Sequence, residues 1–202
     1  IQANGTTGGN CAYGGGAGGG SGGGIRIACG KITGTGYIYA YGGNGTNQAP
    51  TAGGGGRVAI YYADIAGFDQ THITVRGGLT RTGSAGTIYL KDSADSFGSL
   101  ITDNDNYGSG IFTPLATSLD TINHIDVRRE ARLELKGATV PLLIVDGRLT
   151  VNGGTYFYTT NGADIRCADL IVKPSGLVSI DSVYRQGAGT STIESGATLI
   201  AD

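Results

Sequence analysis

The chain has 202 residues, 14 basic and 16 acidic side chains and a formal net charge of −2. The basic residues are scattered, which excludes the clustered basic face of a nucleic-acid binder, and 39% apolar against 15% charged residues excludes a charge-driven disordered chain. The longest apolar run, Val140-Pro141-Leu142-Leu143-Ile144-Val145, is far too short for a membrane span.

Glycine is the outstanding feature: 39 residues, with only four prolines and no Gly-X-Y period, so collagen is excluded. Met is absent and no leader opens the chain, which reads as a mature or excised piece. Thr, Ile, Val and Tyr are abundant and favour strands.

Residues 1–24 are mostly Gly, Asn, Thr and Ala. That composition fits a flexible linker. It lacks regular Gly/Ser alternation, however, and runs into a strand without a polar break, so ordered glycine segments packed side by side are expected. From Gly14 to Gly45 the chain reads GGGAGGGSGGGIRIACGKITGTGYIYAYGGNG. A second copy runs from Gly53-Gly54-Gly55-Gly56 through Arg57–Tyr62 to His72–Gly78, and a fainter third from Ala85-Gly86 through Thr87–Leu90 to Ser99–Thr102. First strands start at Ile25, Val58 and Ile88, and second strands carry Ile38, Ile73 and Ile101. Short strands recurring about every thirty residues without helices mark a stacked architecture.

Residues 91–118 form a more polar transition, after which glycine runs vanish and short rungs appear. Ala131–Leu135 aligns with Gly147–Val151, Gly176–Ile180 and Ser195–Leu199, each with a small residue at a corner. Apolar residues two apart, such as Ile25/Ile27 and Val58/Ile60, give the period of a half-buried sheet. The fold expected is all-β: a parallel β-helix, or β-solenoid, with a glycine-rich repeat part over 1–115 and a short-rung part over 116–202. An antiparallel β-sandwich is the alternative.

Several patterns invite chemistry. Gly30-Lys31 lacks the spacing and the Ser/Thr of a phosphate loop. Gly19-Gly20-Ser21-Gly22-Gly23 matches a serine-nucleophile pattern only through its composition. Asp103-Asn104-Asp105-Asn106-Tyr107-Gly108 opens like a calcium loop, so Asp103 and Asp105 are candidate ligands for structural calcium; a solvated acidic turn is the alternative. No other cofactor is implied.

A polysaccharide hydrolase or lyase needs converging carboxylates; Asp164, Asp169 and Asp181, with Arg166 and Arg185, are the candidates, against the plainer reading of an exposed salt-bridged face. Tyr37, Tyr39 and Tyr41 alternate on one face, and Tyr61 stands in the second copy. Such a row binds sugars or a partner, or stacks as a ladder.

Three cysteines leave one unpaired in an oxidising compartment. Cys11 and Cys29 bracket the glycine run as candidate disulfide partners, the alternative being that all three are apolar fillers. Asn4-Gly5-Thr6 and Asn44-Gly45-Thr46 are glycosylation sequons.

The rungs GRLTVNGG, ADLIVKPSGLVSI and STIESGATLIAD resemble passenger repeats of bacterial surface β-helix proteins of the autotransporter and filamentous-adhesin type. The pattern GGGSGGGIRI…GTGYIYAYGGNG…GGGGRVAIYY resembles glycine-rich repeats of very large bacterial surface proteins. This resemblance implies an extracellular or cell-surface structural or adhesive role. The reading is a non-enzymatic surface or fibre-forming protein whose first partner is itself, head-to-tail or laterally. A carbohydrate-binding adhesin meeting surface polysaccharide and a polysaccharide-degrading enzyme are the alternatives. No nucleic acid and no membrane span are expected.

Overall fold

The computed structural model describes residues 1–10, 15–46, 51–80 and 83–201. It is all-β, with one short 3-10 turn at Gln70–His72. The first half carries β1 (Gly24–Ala28), β2 (Lys31–Gly34), β3 (Ile38–Tyr39), β4 (Arg57–Tyr62), β5 (Asp64–Phe68), β6 (Ile73–Thr74) and β7 (Thr87–Asp92). The second carries β8 (Ser99–Asp103), β9 (Thr113–Leu115), β10 (Thr121–Ile122), β11 (Ile125–Arg128), β12 (Arg132–Lys136) and β13 (Leu142–Val151). There follow β14 (Tyr156–Thr160), β15 (Asp164–Val172), β16 (Leu177–Ile180), β17 (Tyr184–Gln186), β18 (Ser191–Ile193) and β19 (Thr198–Ala201). Among the described residues every strand pair is parallel except β7 with β8.

The repeat phase expected for the first half is present. Ile25, Val58 and Ile88 stand side by side on β1, β4 and β7, and Ile38 pairs with Ile73 on β3 and β6. The glycine segments before and after these strands form two layers. Residues 1–9, 38–46 and 73–78 make one layer, joined in parallel by bonds such as Gly5 N–H to the Tyr41 carbonyl (2.7 Å) and Gly42 N–H to the Arg76 carbonyl (3.0 Å). Residues 15–23, 51–56 and 83–86 make the other, through Gly22 N–H to the Gly54 carbonyl (2.9 Å) and Gly55 N–H to the Ser84 carbonyl (2.8 Å).

The layers also bond directly to each other. Gly20 donates to Thr6 (2.9 Å), Gly43 to Gly20 (2.8 Å), Gly53 to Gly43 (2.9 Å) and Gly56 to Ala40 (2.8 Å). Donations spaced three residues apart, as from Gly20 and Gly23 or Gly53 and Gly56, are the signature of threefold extended chains, which have no internal hydrogen bonds and present their backbone outward.

Stacked sheets ordinarily lie about 10 Å apart, with side chains between them. Here backbone touches backbone. A Cβ added at Gly43 would overlap the Thr6 carbonyl, at Gly53 the Gly20 carbonyl, and at Gly78 the Gly43 carbonyl. None of these glycines has a positive φ, so close approach, not turn geometry, selects them.

The third repeat departs from the expected pattern. Ile101 does not stack on Ile73. The chain turns back after β7, and β8 pairs antiparallel with it, placing Ile101 beside Ile88 and Leu100 beside Tyr89. Directly opposed residues of an antiparallel pair share a face. Ile88 and Ile101 therefore face the first core, around Ile38, Val58, Ile60, Ile73 and Leu90, while Leu100 faces the second. The two cores lie on opposite faces of one ten-stranded sheet.

Beyond β8 the strands stack in register on three fronts. Ile125, Leu149 and Leu170 form one column, Leu143 and Ile165 another, and Leu133, Phe157 and Val178 a third; all are buried. Burying one such side chain stabilises by roughly 1.5–3 kcal/mol.

The expected alignment of rungs is corrected in two places. Arg132–Leu135 stacks on Tyr156–Thr159, not on the Gly147–Val151 rung, which belongs to the neighbouring front. Thr198 pairs with Leu177, so the last rung is two residues out of the expected phase. The corners explain this. Glu130, Gly154, Ser175 and Gly196 each adopt positive φ two residues before the strands of that third front, so the conformation repeats while the residue type does not.

Gly43→Ala and Gly53→Ala are expected to lower the unfolding free energy by about 1–3 kcal/mol or more, as overpacking does. Gly24→Ala, where a Cβ meets nothing within 4 Å, leaves it unchanged. Urea titration of the three variants checks this; equal midpoints would contradict direct layer-to-layer contact.

Candidate functional site

Tyr37, Tyr39 and Tyr41 form a continuous stack along the strand that contains β3. Ring centroids are 5.3 Å apart for Tyr37–Tyr39 and 4.6 Å for Tyr39–Tyr41. His72 stacks on Tyr37 at 4.0 Å, and the Arg76 guanidinium lies 4.1 Å over the Tyr41 ring, with Tyr107 on its far side at 5.4 Å. Burial, reinforced by neighbouring Tyr39, pushes the Tyr41 phenol above its usual range. The row spends its ring faces on its own members, on His72 and on Arg76; a pyranose needs an open face. Tyr61 stands apart from this row, on β4, near Tyr89 (6.0 Å, tilted by 60°) and under Arg26 (4.8 Å).

Asp103, a candidate calcium ligand, is fully buried and already neutralised. Arg128 Nε lies 2.7 Å from its Oδ2, and Arg129 donates to both oxygens from Nε and Nη2 at 2.7–2.9 Å. Arg129 Nη1 also reaches Asp105 Oδ1 at 2.9 Å. A calcium ion here must displace two guanidinium groups that satisfy the carboxylates bidentately. Among the described residues no group of three or more His, Cys, Asp or Glu is placed to hold a metal. Between the two aspartates, Asn104 accepts from Gly77 N–H (3.0 Å), tying this corner to the glycine layers. Arg128 and Arg129 were not singled out by the sequence; the signal was the register, since Arg128 sits opposite Asp103 one rung later.

The carboxylates considered for catalysis are each engaged in a hydrogen bond to a neighbouring rung. Asp164 Oδ1 accepts from Ser182 Oγ (2.6 Å) and Val183 N–H (3.2 Å), and the Ser182 bond holds its carboxyl below the usual range. Asp169 accepts from Thr190 N–H (2.7 Å), and Asp181 from Gly162 N–H (3.4 Å). Each ties one rung to an adjacent one. Arg166 and Arg185 stand opposite each other on β15 and β17.

A shallow recess of about 280 Å³ gathers His124, Asp126, Arg148 and Asn152. His124 Nδ1 accepts from Arg148 N–H (2.9 Å), and Asp126 accepts from Asn152 (2.6 Å) with Arg128 3.7 Å away. Burial pushes the Asp126 carboxyl above its usual range against those partners.

Cys11 lies outside the described residues, so the Cys11–Cys29 pair has no geometry to describe. Cys29 is half-buried just after β1, whereas Cys167 is fully buried, its thiol pushed up by burial and donating to Tyr184 Oη (3.5 Å). Asn4 is exposed, with its Oδ1 accepting from Tyr41 N–H (2.9 Å). Asn44 is half-buried and holds Leu79 N–H (2.6 Å), with Gly45 and Thr46 of its sequon buried.

A larger cleft of about 580 Å³ lies where the sheet reverses direction, with Arg57, Tyr61 and Tyr89 on one side and residues 113–119 on the other. No protein-family model, curated protein or solved structure matches the chain.

Asp103→Asn is expected to cost about 3–5 kcal/mol, since it strands two guanidinium groups around a buried site. Asp105→Asn, at a partly exposed position, costs under about 1 kcal/mol. Urea unfolding checks both, and equal losses would contradict the assignment. Cys167 is expected to resist alkylation until the chain unfolds, read by peptide mass mapping; labelling at the rate of a free thiol would contradict its burial.

Proposed function

We propose that this chain is a structural protein of the cell surface or extracellular space, a β-solenoid that associates with further copies of itself through its open sheet edges. Three fronts of in-register parallel strands, stepping by 19–25 residues, support the solenoid reading. The engagement of Asp164, Asp169 and Asp181 in rung-to-rung hydrogen bonds supports a passive scaffold. The resemblance of the rung style to bacterial surface repeats supports the location.

One observation carries the self-association. Two inward columns stay apolar into the last rung and come into the open there: Val172 is 0% exposed and its partner Ile193 40%, and Val178 is 0% exposed and its partner Leu199 37%, while the columns of Cys167 and Leu170 end on Gln186 and Ser191. An open edge of parallel strands offers unpaired backbone donors and acceptors beside that apolar column.

Further rungs of a longer chain would cover this edge, and a second copy fits it as well. At the other end of the ten-stranded sheet lies β1. Because strands of the two halves run in opposite directions, β17 and β18 of one copy would meet β1 of the next with antiparallel polarity. The β7–β8 pair joins the two halves within one chain in the same way.

The 202-residue chain is expected to form elongated, concentration-dependent assemblies in sedimentation velocity and negative-stain images. The double variant Ile193→Asp, Leu199→Asp is expected to shift it to monomer while keeping its circular dichroism spectrum. A unmodified chain that stays monomeric at every concentration would contradict the proposal.

A further inference from the structure

The reversal of the sheet creates a cleft that the proposed structural role does not use. On the outer face of β4, Ala59 lies between Arg57 and Tyr61, each two residues away and on the same face. Its partners in register are Arg26 on β1 and Tyr89 on β7. A single methyl among four long side chains leaves a hollow. Because the second core lies on this face of the sheet, the hollow is walled by residues 113–119, from β9 and the segment after it. Gly54–Gly56 and Ser84, Ala85 and Gly86 also line it. The volume, about 580 Å³, falls within the roughly 300–1,000 Å³ of ligand sites.

The chemistry of the lining is selective. The rings of Tyr61 and Tyr89 are splayed, not stacked, and Arg26 covers Tyr61 from one side only. Ser84, Thr87, Thr117 and Ser118 supply hydroxyls along the walls. Arg57 is exposed, and its guanidinium has no ion-pair or hydrogen-bond partner among the described residues. No Asp or Glu lines the cleft, so its charge is positive, and the paired carboxylates of glycoside hydrolysis are missing from it. Pro114, at the centre of edge strand β9, removes an amide donor and weakens the case for an added peptide strand.

We infer that this cleft binds an acidic oligosaccharide without cleaving it. A uronate carboxylate sits at Arg57, and a pyranose face packs on Tyr61. The site is complete within one chain: no residue of β17, β18 or β19 lines it, although Arg26 of β1 borders it.

Isothermal titration calorimetry with tetragalacturonate tests this, using its methyl-esterified form and cellotetraose as comparison ligands. Saturable binding is expected for the acid, weakened at least about tenfold by Arg57→Gln and by Tyr61→Ala, as loss of a charge-assisted hydrogen bond or an aromatic contact predicts. Tyr37→Ala, outside the cleft, leaves it unchanged. If Tyr61→Ala unfolds the chain, the exposed Arg57→Gln variant carries the test. Absence of saturable binding, or binding indifferent to Arg57→Gln, overturns the proposal. Cellotetraose bound as tightly as the acid overturns the role of the charge.

Discussion

Backbone hydrogen bonds between two layers of chain, with no side chain between them, govern the first half of this molecule. Each such bond contributes modestly, about 0.5–1.5 kcal/mol net. Their value lies in number and in geometry: they form only where neighbouring backbones approach within hydrogen-bond distance, and a single methyl group prevents that approach. A chain held this way has little use for apolar side chains at the contact, which is why its glycine-rich stretches carry almost none. The constraint reaches further than the glycines. It fixes how far apart β1, β4 and β7 emerge, and so sets the register in which Ile25, Val58 and Ile88 stand side by side.

A second constraint follows from the one antiparallel pair. By turning back at β8 the chain keeps a single sheet but moves its apolar side to the other face. The first half then exposes the face that the second half buries, and the step between them becomes the cleft over Ala59. The Tyr37–Tyr39–Tyr41 stack belongs instead to the layer containing β3 and is closed at its ends by His72 and Arg76. It stiffens that layer and takes no part in the cleft, where Tyr61 and Tyr89 stand.

Much of the repeat was legible in the sequence because period and residue type coincide in the first half: glycines followed by Ile-x-Ile or Val-x-Ile recur at the spacing at which strands pair. The second half was harder. Its corners repeat a conformation, not a residue, and Glu130, Gly154, Ser175 and Gly196 share only a positive φ. Matching small residues at corners therefore placed Gly147–Val151 in the wrong front. The ion pairs of Asp103 were hidden for a related reason. A run of Asp and Asn looks like a cation loop when read locally, whereas its countercharges, Arg128 and Arg129, come from the next rung. Ile101 misled because an apolar residue at the expected spacing reads the same in a parallel or an antiparallel strand.

The most direct test of the account is amide hydrogen exchange at individual glycines, followed by NMR. The account predicts slow exchange at Gly20, Gly43, Gly53 and Gly56, whose N–H groups bond across the two layers, at rates comparable to those of Ile60 in the adjoining strand. Exchange at these glycines at the rate of an unstructured chain, while Ile60 stays protected, would contradict it.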